Sequence, residues 1–179
     1  MALKPTIFKM NINLSDLNND IYDTLNLTLA QHPSETAERM MARVLAYCLN
    51  AQAFLTFTKG LSAADDPDIW AKSLADEFLL WIDVGEPSFA RIKKARRQAQ
   101  AVKIYSFNTK SDVWWKQSHA DFAALDVGVY QFAFAQLQTL ANMLKRSMDW
   151  SVTISADSLY IATEQGECDV TCIILQDKQ

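Results

Sequence analysis

The run Phe78–Val84 is apolar at every position except Asp83. Gly85-Glu86-Pro87 follows, then a helical pattern over residues 88–101 with Ser88 as its N-cap, then a second apolar run at residues 102–107. A strand apolar on both faces suits the middle of a sheet that is covered on both sides. A strand, a helix and a strand in that order predict a right-handed crossover and parallel pairing. This unit constrains the fold more than any other stretch, because it demands a sheet with helices packed against it.

The remaining elements are fitted around that unit. Residues 6–13 and 22–31 alternate apolar and polar side chains and predict two strands paired as a meander. His32-Pro33-Ser34 breaks the pattern, and a helix is expected over 35–53, with acids in its first turn. Residues 54–59 suit a short strand, and 60–76 reads mostly as a loop containing Asp65-Asp66-Pro67-Asp68. Further on come helices near 111–117 and 136–146 and a strand near 128–134. A hairpin of 151–155 with 159–163 and a last strand near 170–175 complete the expectation: an α/β fold with a mixed β-sheet and flanking helices, in one domain spanning 1–179.

Composition narrows the function classes. Half of the 179 residues are hydrophobic, enough for a sizeable core. A net charge of −4 argues against a general electrostatic nucleic-acid binder but leaves room for a local basic patch. The three cysteines form no CxxC pair and there are only two histidines, so no structural zinc is expected. The chain has neither an apolar leader after Met1 nor a run long enough to cross a bilayer, which suits a cytoplasmic protein with no membrane partner.

The carboxylates are the chemistry-bearing candidates. Asp83 inside an apolar strand is costly unless it is ion-paired or holds a metal. Its place near a strand's C-terminal end favours a site, since ligands in open α/β sheets bind there. On a helical wheel Glu38 falls on the margin of the apolar face, between Leu45 and Leu49, whereas Arg39 and Arg43 fall on the wet side and Glu35 at the boundary. Glu38 therefore reads either as compensation of the helix dipole or as a site residue. Asp68 stands out only as a Pro-Asp pair. On the helix after Ser88, Lys93 and Lys94 flank the buried face, with Arg91 and Arg96 nearer its boundary, and periodicity does not choose among them.

Several of these segments carry a family resemblance. His32-Pro33-Ser34-Glu35-Thr36-x-Glu38-Arg39-Met40-Met41, Phe57-Thr58-Lys59-Gly60-Leu61, Leu80-Trp81-Ile82-Asp83-Val84-Gly85-x-Pro87 and Arg91-Ile92-Lys93-Lys94-Ala95 resemble the YaeQ family of bacterial proteins, as does the start Met1-Ala2-Leu3-Lys4-Pro5-Thr6-Ile7. That family is similar to the PD-(D/E)XK nuclease superfamily. The resemblance implies a restriction-endonuclease-like core with added N- and C-terminal strands. It also implies a Mg²⁺- or Mn²⁺-dependent phosphodiesterase acting on nucleic acid, with Glu38, Asp68 and Asp83 as metal ligands. The strand lysine of (D/E)-x-K is replaced here by Gly85, which nominates Lys94, or Lys93, from the following helix. The same departure supports an alternative, a non-catalytic binding or regulatory module on a degenerate nuclease fold. A shared cavity of Glu38 and Asp83 with a basic rim would favour the enzyme, and an Asp83 locked by Arg91 or Arg96 the module. Oligomeric state is not legible.

Overall fold

A computed structural model describes residues 3–177. The chain forms two compact units, each from two stretches of sequence: Met1–Leu49 with Ala133–Cys172, and Asn50–Phe132 with Ile173–Gln179. Both are mixed α/β. Among the described residues no helix is long and apolar enough to cross a membrane.

In the first unit, Phe8, Met10, Ile12 and Leu14 are buried at every second position of β1 (Thr6–Asp16). That period of two puts one face on the core and leaves the other polar. β1 pairs antiparallel with β2 (Ile21–Gln31), as the meander expectation required. The connecting turn is organised by buried Asp16, whose carboxylate accepts from the backbone N–H groups of Asn18 and Asn19. β1 also pairs in parallel with β8 (Ser147–Ser155), which continues antiparallel into β9 (Ser158–Thr163) and β10 (Gly166–Gln176). Helices α1 (Ala37–Leu49) and α4 (Phe134–Ala141) pack on one another in this unit. The Thr36 hydroxyl accepts from the Arg39 N–H and caps α1, so the helix starts after Glu35 rather than at it.

The second unit contains the crossover. β5 (Phe78–Val84) lies between β4 (Ile69–Lys72), antiparallel, and β6 (Ala99–Ser106), parallel. β6 in turn pairs in parallel with β7 (Gly128–Phe132), and β3 (Leu55–Phe57) forms the other flank on β4. The expected central, parallel strand is therefore present. β4 was not expected: four residues of strand lie inside the segment read as loop. The chain from β5 to β6 runs through α2 (Phe89–Gln98), whose N-cap Ser88 accepts from the Arg91 N–H. Buried Ile92 and Ala95 of α2 share a core with Trp81, Val102, Ile104, Val129 and Phe122, the last from α3 (Ser111–Phe122).

Candidate functional site

Asp83 is buried on the penultimate residue of β5, on the face that α2 covers. One turn into α2, Arg91 meets it with a two-toothed bond: Nε to Oδ2 at 2.7 Å and Nη2 to Oδ1 at 3.1 Å. The same guanidinium donates to the backbone carbonyls of Ala64 and Asp66. Arg91 thus fastens the acidic loop, the end of β5 and α2 together. A planar fork matched to a carboxylate is the geometry that makes arginine pairs strong and directional. Burial raises the Asp83 carboxyl above its ordinary range; Arg91 opposes that shift and the charge of Asp68 adds to it. Asp83 in turn holds the guanidinium of Arg91 above its ordinary value.

Asp68 lies one residue beyond the Ile69↔Ile82 pair, across the ladder from Asp83. Its N–H donates to the Ile82 carbonyl at 3.0 Å, and its Oδ2 accepts from the Val84 N–H at 2.8 Å. The structure brings Asp68 and Asp83 together. Glu38 belongs to the first unit, half-buried in the first turn of α1, and its carboxylate makes no hydrogen bond or ion pair among the described residues. Lys94 is exposed and lines a cavity of about 160 Å³ with Asp65, Trp81, Arg91 and Gln98. Lys93, also exposed, has its ammonium 5.9 Å from the Phe89 ring centre.

Whether this set fits a divalent ion can be tested on its donors. Mg²⁺ favours an octahedron of oxygens, with one or two carboxylates free to coordinate. Both oxygens of Asp83 are occupied by Arg91, and one oxygen of Asp68 by a backbone amide. Among the described residues no group of three or more His, Cys, Asp or Glu is placed to hold a metal. As arranged, the set does not fit the ion.

Sequence periodicity misplaced one cation and overlooked three residues. Arg43, placed on the wet side of α1, is 2 % exposed. Its Nε and Nη2 grip the two oxygens of buried Glu35 at 2.7 and 2.8 Å, and Arg39 adds a third bond at 3.0 Å. A helical wheel counts angle alone, and here a charge partner from outside the helix draws the guanidinium inward. Glu86 was missed. Its carboxylate accepts from the N–H groups of Phe107 and Asn108 and from the Ser111 hydroxyl, and so tethers the chain entering α2 to the start of α3. Lys103 and Asn50 were missed as well, although a lysine between Val102 and Ile104 is a visible break in an apolar strand.

A family model described as YaeQ protein matches residues 1–172 of the chain. The chain belongs to the YaeQ family. It is 37% identical over 172 residues to the uncharacterized protein YaeQ of Salmonella typhi, and 36% identical to that of Escherichia coli K12, each match covering 95% of both chains. Solved YaeQ structures superpose closely. That from Xanthomonas axonopodis pv. citri gives a TM-score of 0.94 at 30% identity, covering 97% of this chain and 99% of that one. That from Pseudomonas syringae gives 0.92 at 32%, covering 97% of each. Both solved structures cover this chain nearly end to end.

Proposed function

We propose that this member of the YaeQ family binds the phosphodiester backbone of nucleic acid without hydrolysing it, on a fold akin to the PD-(D/E)XK nucleases. One observation carries the reading: Arg91 takes both oxygens of Asp83, the acid that a nuclease of that type would turn toward a metal. Gly85 in place of the strand lysine agrees with it. With Arg91 committed to the strand, α2 still presents Lys93, Lys94 and Arg97 as exposed cations, and the helix carries no acid. Lysine and arginine displayed in this way neutralise phosphates and release their counterions, which makes binding fall with salt. The overall net charge of −4 argues for a local contact of this kind over a general electrostatic one.

The test is fluorescence anisotropy with single- and double-stranded oligonucleotides over a salt series. The three exposed cations set a logarithmic salt slope of about −2 to −3. The triple substitution of Lys93, Lys94 and Arg97 to alanine abolishes most of that slope. A parallel incubation with Mg²⁺ or Mn²⁺ leaves the strands intact. The adjacency of Asp68 and Asp83 favours a second reading, a metal-dependent phosphodiesterase in which Arg91 leaves its acid. Cleavage that requires metal and disappears in Asp83→Asn would replace the first reading with the second.

A further inference from the structure

β2 is an end strand: β1 lies on one side of it and, among the described residues, no strand lies on the other. The ladder fixes which of its backbone groups face outward. Lys9 of β1, and Leu17 just past it, donate their N–H groups to the Arg146 and Ile154 carbonyls. The odd-numbered residues of β1 therefore face β8, and the even-numbered ones face β2. Phe8, Met10 and Ile12 stand opposite Leu29, Leu27 and Leu25, and these pairs exchange the bonds of the antiparallel ladder. The N–H and C=O groups of Tyr22, Thr24, Asn26, Thr28 and Ala30 are left pointing away from the sheet. Two of their neighbours bend back onto them: Asp23 Oδ1 accepts from the Thr24 N–H at 2.8 Å, and Arg43 Nη2 donates to the Ala30 carbonyl at 3.1 Å.

An open edge recruits strands, and natural sheets blunt it with lysine, proline or a bulge. β2 uses none of these. It pairs with β1 in unbroken register over 11 residues and contains no Lys, Arg or Pro. Its sequence is instead complementary to itself. With two copies set antiparallel about Asn26, Thr24 meets the partner's Thr28 and Tyr22 meets the partner's Ala30. Residues that meet share one face, so Leu25 falls opposite the partner's Leu27 and the buried rows of the two sheets continue into each other. Asp23, the one charged side chain in the strand, meets the partner's Leu29 and not its own copy, so no like charges are opposed.

The exposed apolar side chains fit the same register. On the outer face β1 and β2 present Lys9, Asn11, Asn13, Thr24, Asn26 and Thr28, against which Tyr22 at 64% exposure and Ile7 at 43% stand out. Ile7 lies directly beside Ala30 in the ladder. The two-fold that pairs Tyr22 with the partner's Ala30 therefore lays the tyrosine ring across a methyl toward the partner's Ile7, and does so twice. We propose that β2 is the interface of a homodimer, joined antiparallel across Asn26. Such an interface is isologous, since each surface meets its own copy. One strand pair buries less than about 1,200 Å², the range of weak and transient contacts, which sets a Kd in the micromolar range. The interface lies in the first unit and uses none of the α2 cations, so it stands or falls apart from the function proposed above.

Sedimentation of the full chain from about 1 to 200 µM shows its mass moving from one copy to two. Mild oxidation of Asn26→Cys gives a covalent dimer, because residues opposed in a hydrogen-bonded pair have Cα atoms about 5.5 Å apart, within disulfide reach. The native cysteines Cys48, Cys168 and Cys172 are buried and do not interfere. Thr24→Cys alone does not cross-link, whereas Thr24→Cys with Thr28→Cys does, which reads the register directly. Thr24→Lys with Thr28→Lys sets like charges opposite one another and weakens the dimer at least about tenfold. Both side chains are exposed in the single chain, so the thermal midpoint of that variant at about 1 µM stays at the wild-type value. Mixing it with Thr24→Glu, Thr28→Glu restores a dimer containing one chain of each. A wild-type chain that stays monomeric throughout overturns the proposal and leaves the edge to a strand from another protein. A dimer that Asn26→Cys does not trap, or one indifferent to Thr24→Lys with Thr28→Lys, overturns it as well.

Discussion

Removing either partner of the Asp83–Arg91 pair should destabilise the protein unequally, and the inequality follows from exposure. The side chain of Asp83 is 4% exposed and that of Arg91 32%. Arg91→Met strands a buried carboxylate beside Asp68 and releases the Ala64 and Asp66 carbonyls. Loss of a buried partner costs roughly 3–5 kcal/mol at neutral pH. Asp83→Asn strands a guanidinium that already reaches water, keeps one acceptor oxygen, and removes the desolvation that pushes this carboxyl upward. Its cost is about 1–2 kcal/mol. At roughly 2–4 °C per kcal/mol for a chain of this size, melting falls by about 6–20 °C for the first variant and about 2–8 °C for the second. The pH dependence has a definite sign. A carboxyl whose folded pKa is raised binds more protons folded than unfolded, so its contribution weakens as pH rises through that window. Without Arg91 the shift is larger, so the deficit of Arg91→Met relative to wild type is small near pH 4.5 and grows toward pH 7.5. Urea denaturation at both pH values measures it. A costlier Asp83→Asn, or a deficit independent of pH, would refute the ion-pair account. So would Mg²⁺ raising the wild-type midpoint but not that of Asp83→Asn.

Glu35→Gln leaves the 2 %-exposed Arg43 without its carboxylate and should cost about 3–5 kcal/mol, read by thermal unfolding. Glu86→Ala deprives the turn entering α3 of a shared acceptor. It should cost about 1–3 kcal/mol, with faster amide exchange at Phe107 and Asn108. Gly128→Ala drives a methyl into the Tyr130 ring and should cost about 1–3 kcal/mol, with loss of the near-ultraviolet signal of the Tyr105–Tyr130 stack.

The elements legible in the sequence were those whose pattern is local. The apolar run of β5, the capped helix after Ser88 and the alternation in β1 and β2 each declare their geometry within a few residues. β4 did not, because four residues between Asp68 and Ser73 are too short for a period to register and their acidic surroundings read as loop. The candidate acids were legible as types, and Asp68 and Asp83 do lie together. Which cation would answer Asp83 was open between helix positions that periodicity treats alike. Tertiary placement selected Arg91, the one that also reaches the carbonyls of the acidic loop. Arg43 shows the same limit from the other side: its burial depends on Glu35, which the wheel set at the helix boundary but which lies before α1 begins.

The parallel pairing of β1 with β8 bears on how the chain leaves the ribosome. Asn18 and Ala156, which close the ends of that pair by a side-chain bond, are 138 residues apart. Translation at ~5–20 residues per second leaves the N-terminal hairpin without its third strand for roughly 7–28 s. During that interval the inner edge of β1 offers unpaired amides and carbonyls beside apolar Phe8, Met10 and Ile12, the kind of surface that recruits a wrong strand. Slower synthesis lengthens that exposure in proportion, so the long separation of β1 from β8 makes the yield of native protein sensitive to synthesis rate.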